Sequence, residues 1–122
     1  MEMRRSIMEK LFTVYQPNMD KFIKDGNFIS PELADKHFKI TNGEITNRDF
    51  RNLYGTPVCT IKAKSLGEVF QIGNVGPEEK ITRLNKMHSV SVGDIVADST
   101  SGRHYIVSTV GFKDLSSGVI VD

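Results

Sequence analysis

The stretch Val58-Cys59-Thr60-Ile61-Lys62-Ala63-Lys64-Ser65-Leu66-Gly67-Glu68-Val69-Phe70 changes character at Ser65, and the fold class is read from that change. Up to Ala63, apolar side chains fall on both faces of an extended chain, the pattern of a strand with covered sides, over about 57–64. Ser65 and Glu68 then stand at capping-box spacing, where the serine hydroxyl accepts from the amide at 68 while the glutamate carboxylate reaches back. A helix follows from Leu66 to about Ile72. Leu66, Val69 and Phe70 share one face of it, and Gly73 and Gly76 permit the left-handed backbone that ends it. A strand that leads straight into a short helix packed back on the sheet predicts an α+β domain.

Toward the C-terminus, Val90, Val92, Ile95 and Val96 flank Gly93-Asp94. A turn there, followed by Ser99-Thr100-Ser101-Gly102, predicts a strand over 95–98 that feeds a hairpin with its return strand over 103–110. Along the return strand His104, Ile106, Ser108 and Val110 alternate with Tyr105, Val107 and Thr109. Gly111 predicts a bulge or a close backbone approach that turns Phe112 into the core beside Leu66, Val69 and Phe70. Ser116-Ser117-Gly118 then turns into a last strand at 119–121.

Toward the N-terminus, Leu11-Phe12-Thr13-Val14-Tyr15 predicts a strand over 10–16, closed by Pro17-Asn18. Ser30-Pro31-Glu32 places a cap, an N1 proline and an early acid ahead of a short helix over 31–38. Asn42-Gly43 has the chemistry of a tight hairpin turn between Ile40 and Ile45, and Phe50, Leu53 and Tyr54 have the spacing of another short helix. Residues 1–9 are expected to form a flexible tail and 10–122 a single domain. The expected fold is a small α+β domain with a mainly antiparallel five-stranded sheet, or a partly closed barrel, and two to four short helices.

Composition agrees with a sheet-rich core, because Val and Ile outnumber Ala and Leu by 22 to 9 and β-branched side chains suit a pleated surface. At 122 residues there is room for one such core. Sixteen basic against fifteen acidic residues leave a net charge of +1, so no global field attracts nucleic acid or an anionic membrane. One cysteine excludes an intrachain disulfide, and no apolar run approaches the roughly 18 residues of a membrane helix. Met1-Glu2-Met3-Arg4-Arg5 is not followed by an apolar segment of the kind a signal peptide needs.

Each candidate for chemistry meets a structural competitor. Cys59 with His37, His88 or His104 lacks any local nucleophile signature, and a thiol in an apolar strand is expected to be buried and inert. Three scattered histidines and one cysteine do not supply metal-ligand spacing, so no metal or other cofactor is expected. Asp94 and Asp98 stand four apart as a conceivable carboxylate pair, but Asp94 fits better as a turn residue bonding nearby backbone amides. Gly73-Asn74-Val75-Gly76 resembles the loop with which KH domains clamp a nucleic-acid backbone, although Glu78 and Glu79 follow at once. Lys80, Arg83 and Lys86 would form a basic ridge on a helix over 77–86. Met87-His88-Ser89 suits neither a core strand nor a generic loop; His88 and Ser89 hydrogen-bonded to cap the following turn is one reading of it, and a recognition surface is the other.

Ser65-Leu66, Glu68-Val69-Phe70, Gly73-Asn74, Arg83, the block Met87-His88-Ser89-Val90-Ser91-Val92-Gly93-Asp94-Ile95, Tyr105, Val107 and Gly111-Phe112 together carry a family resemblance. This stretch resembles small uncharacterised proteins of tailed bacteriophages and, more distantly, the YodL-like segments of phage and conjugative-element proteins. The resemblance implies a mobile-element setting and the cytoplasm of a bacterial host; it implies no reaction and no ligand.

The expected function is that of a non-enzymatic accessory protein, monomeric or a small homo-oligomer, which binds a host or phage protein through Arg83, Met87, His88, Ser89, Ser91 and Asp94. A host-takeover or anti-defence role would fit. The alternative is nucleic-acid binding through Gly73, Asn74, Gly76, Lys80, Arg83 and Lys86, and a weaker third is an enzyme using His88 and Asp94. The small size of the chain is expected to leave little volume for a buried substrate pocket of several hundred Å³.

Overall fold

The computed structural model describes residues 9–121, so that of the expected tail only Glu9 falls within the described span. Strand β1 (Lys10–Tyr15) leads through a 3-10 turn at Met19–Lys21 into a small hairpin, β2 (Ile23–Lys24) and β3 (Asn27–Phe28). Helices α1 (Pro31–Thr41) and α2 (Asn47–Leu53) follow, then β4 (Cys59–Ala63), α3 (Leu66–Val75) and a second 3-10 turn at Glu78–Lys80. The remaining strands are β5 (Ile81–Arg83), β6 (Ile95–Asp98), β7 (His104–Ser108), β8 (Gly111–Asp114) and β9 (Ile120–Val121).

Seven strands form one antiparallel sheet in the order β5-β4-β1-β6-β7-β8-β9, with the β2–β3 hairpin apart from it. The α+β class and the antiparallel sheet are as expected. The sheet is open, with β5 and β9 at its edges, and so it does not close into a barrel.

The two additional strands have separate causes. Gly111 makes no bulge: the chain reverses at Thr109-Val110, Ser108 pairs with Gly111, and Val107 pairs with Phe112. The expected close approach is present, because Gly111 has φ +144° and a Cβ there would lie 2.8 Å from the Val121 carbonyl oxygen. The helix over 77–86 that a basic ridge would need is absent, because Ile81 and Thr82 extend and pair with Ile61 and Thr60 of β4, as β-branched residues favour.

Both faces of the sheet are covered. On one, Phe12, Val14, Cys59, Ile61, Val96, Val107 and Phe112 pack with Leu66, Val69 and Ile72 of α3. The buried face of α3 differs from the expected one, since Ile72 is inside while Phe70 is 38% exposed. Gly73 does not stop this helix; it lies in its last turn, and Gly76, at φ +96°, caps it. On the other face Ile95 and Ile106 pack with Phe22, Ile40 and Tyr54 beneath α1 and α2.

Helix α1 begins at the expected cap, with Ser30 Oγ accepting from the Leu33 amide at 3.2 Å. It continues to Thr41, so that Asn42-Gly43 ends a helix and makes no hairpin turn. The extension is held by Ile40, whose fully buried side chain packs under Gly93. Among the described residues, no helix is long and apolar enough to cross a membrane.

Candidate functional site

The irregular segment 84–94 crosses from the sheet edge at β5 to the sheet centre at β6, and hydrogen bonds fix it along its length. The amides of Leu84 and Asn85 both donate to the Val58 carbonyl, and the Asn85 side chain donates to the Pro57 carbonyl at 2.8 Å. Val90 is buried against α3: a Cβ on Gly73 would lie 2.2 Å from Val90 Cγ2, so only glycine admits this approach. Asn74 adds a bond from its side-chain amide to the Val90 carbonyl at 2.8 Å. The Gly93 amide donates to the Val107 carbonyl and the Asp94 amide to the Ser91 carbonyl, which places Asp94 at the mouth of β6.

Gln16, immediately after β1, gathers this segment. Its Nε2 donates to Asp94 Oδ2 at 2.9 Å and to the His88 carbonyl at 3.0 Å, while its Oε1 accepts from the His88 amide at 3.3 Å. The peptide of His88 is thus held on both its donor and its acceptor side by one buried side chain. His88 Nδ1 lies 2.7 Å from its neighbour's carbonyl at Ser89 and 3.1 Å from Gln16 Nε2. The shorter contact requires a proton on Nδ1, which assigns Nδ1–H to the Ser89 carbonyl and leaves Gln16 to serve Asp94 and the backbone. His88 itself is exposed.

These residues border an open cleft of about 1160 Å³, whose lining includes Gln16, Met19, Ile40, Val58, Met87, His88 and Asp94. The space is open to solvent rather than a buried pocket, and it is bordered by the segment after β1, by α1, by the approach to β4 and by residues 85–94. Asp94 is 1% exposed. Its burial outweighs bonds from Gln16 and the Ser91 amide and the field of His88, and pushes its carboxyl up to about 6.

Met87 is partly buried and packs on the larger core cluster. Ser89 and Ser91 contribute backbone groups, Ser89 the carbonyl facing His88 and Ser91 the amide that donates to Asp94 Oδ2 at 3.0 Å. Arg83 lies apart in β5, paired with both oxygens of Glu78 at 2.6 and 3.2 Å. Lys80 pairs with Glu9, and Lys86 lines the cleft, so the three cations share no helical ridge. Gly73, Asn74 and Gly76 belong to the end of α3 and its cap rather than to a loop between two helices, and the Asn74 side chain is already bonded to the carbonyls of Phe70 and Val90.

Cys59 is fully buried, and burial pushes its thiol up to about 11. Asp98 stands at the far end of β6 from Asp94, bonded to Lys10 at 3.2 Å and to the Thr100 amide at 2.8 Å. Among the described residues, no group of three or more His, Cys, Asp or Glu is arranged to hold a metal ion.

Sequence reasoning singled out His88 and Asp94 but missed Gln16, which joins them. A lone glutamine after a strand carries no local signal, and its role arises across 72 and 78 residues of chain. No family model, no curated protein and no solved structure matches the chain.

Proposed function

We propose that this chain is a non-enzymatic accessory protein of a phage or mobile element, acting in the bacterial host cytoplasm by binding another protein at the cleft beside residues 84–94. The observation that carries the reading is the clamp of Gln16 on the His88 peptide. It holds an exposed imidazole on an irregular segment in one position before any partner arrives, and preorganisation of this kind lowers the ordering cost of binding. The cell setting comes from the resemblance of the 65–112 stretch to phage proteins. Arg83, engaged with Glu78 in β5, belongs at most to the rim of such an interface.

The test is affinity purification from bacterial lysate with and without nuclease, using the wild type, His88→Ala and the triple variant Lys80→Gln/Arg83→Gln/Lys86→Gln. A stoichiometric protein that survives nuclease, is lost with His88→Ala at unchanged circular dichroism, and is only modestly weakened by the triple variant is the expected result. Recovery of nucleic acid alone, lost in the triple variant, would overturn it in favour of phosphate-backbone contacts.

A further inference from the structure

The carboxylate of Asp94, which lines the cleft and is buried, has incomplete bonding among the described residues. Both donors that reach it, Gln16 Nε2 and the Ser91 amide, are neutral and converge on Oδ2. Among the described residues Oδ1 meets no donor, and Asp94 forms no ion pair with Lys86, His88 or any other cation. A carboxylate with 1% exposure in that condition is costly, since buried charges are ordinarily paired. The surroundings also have a shape. Pro17, Val58, Met87 and Val92 give the cleft apolar walls, and Asp20 adds a second carboxylate to the lining.

We propose that the cleft takes a cationic N–H group carried on an aliphatic stem, an ammonium or a guanidinium, which donates to Asp94 Oδ1 while the stem lies along the apolar walls. Lys and Arg side chains have this build, and so do small alkyl amines and guanidines; the shared chemistry is a charged donor at the end of a hydrocarbon arm. The inference rests on the reading of this cleft as the recognition site, and it adds the chemistry of what enters. His88 stands at the mouth, where Gln16 fixes its backbone. The carboxylate is thereby framed without being neutralised.

The test is an NMR titration of the isotope-labelled chain with Nα-acetyl-arginine amide and, in parallel, with the neutral isostere Nα-acetyl-citrulline amide. Saturable displacement of the Asp94 carboxyl carbon and the Gln16 side-chain amide is expected with the arginine compound, at a dissociation constant of about 1 mM for a ligand of this size. The citrulline compound should bind at least about tenfold more weakly, and Asp94→Asn should remove the difference. Equal binding of the two probes to the wild type, or no displacement up to about 50 mM, overturns the proposal without reliance on any variant.

Competition separates the two sources. If the arginine compound displaces a captured protein, the cation is a partner's side chain. If the compound binds but no protein is captured, the cation is a free small molecule, and the protein-binding reading fails while this inference stands. A captured protein indifferent both to the compound and to Asp94→Asn leaves that reading intact and sinks this inference.

Discussion

The hydroxyl of Tyr54 donates to the carbonyl of Gly93, joining the end of α2 to the turn that delivers Asp94 into β6. Tyr54 is 5% exposed, and its burial, together with the nearby charge of Asp94, pushes the phenol upward and keeps it a donor. Tyr54→Phe retains the packing and leaves a buried carbonyl without its partner. The expected loss is about 1 to 3 kcal/mol in chemical denaturation, with faster hydrogen exchange at the Ser91–Asp94 turn. An unchanged midpoint would show that Gly93 finds another donor.

Phe112 and Phe70 should separate sharply. Phe112 is 7% exposed in the same cluster as Leu66 and Val69, whereas Phe70 is 38% exposed on the outer side of α3. Phe112→Ala is expected to cost about 3 to 5 kcal/mol. Phe70→Ala should cost less than about 1 kcal/mol, as substitutions away from the core do. Denaturation midpoints of the two variants, measured side by side, decide the matter, and equal losses would contradict the assignment of the helix face.

Asp94 gives stability a pH dependence of unusual sign for a carboxylate. Its carboxyl is pushed up to about 6 in the folded protein, chiefly by burial, and titrates near 4 in an unfolded chain. The folded state therefore holds this proton more tightly, and the contribution is full below about pH 4 and lost as pH rises through about 6. The stability of the wild type minus that of Asp94→Asn should fall by about 3 kcal/mol between about pH 4 and pH 7. Taking the difference removes Asp98 and Asp114. Both feel burial, but bonds from turn amides and from Lys10 or Arg103 outweigh it and hold them below the usual range, so their contribution is lost as pH falls. A flat difference would show that Asp94 is solvated.

What the sequence disclosed was local in origin. The strands near 10–16, 57–64 and 95–98 and the caps at Ser30 and Ser65 follow from runs of strand-forming side chains bounded by turn residues and from single side chains bonding backbone three residues on. Residues 77–86 misled because basic residues at three-residue spacing imitate a helix face, while Ile81 and Thr82 answer to the free edge of β4. Asn42-Gly43 misled in the same way: hairpin chemistry and helix-stop chemistry are alike, and the buried side chain of Ile40 selects between them. His88 and Asp94 stood out as residues without a place in a core strand. Their joint geometry did not, because it is made by Gln16 from the far end of the chain.

The position of β1 bears on how the protein is made. Val14 is flanked by Cys59 on one side and Val96 on the other, so the first long strand of the sheet has both neighbours encoded far downstream. At a synthesis rate of about 5 to 20 residues per second, the ribosome finishes Val14 roughly 2 to 9 s before it reaches Cys59. Until then the neighbours of Phe12 and Val14 in the sheet, and the α3 face that covers them, have not been synthesised. Gln16 waits longer still for His88 and Asp94. The cleft lined by Gln16, His88 and Asp94 can therefore assemble only after the segment that leads into β6 has been made.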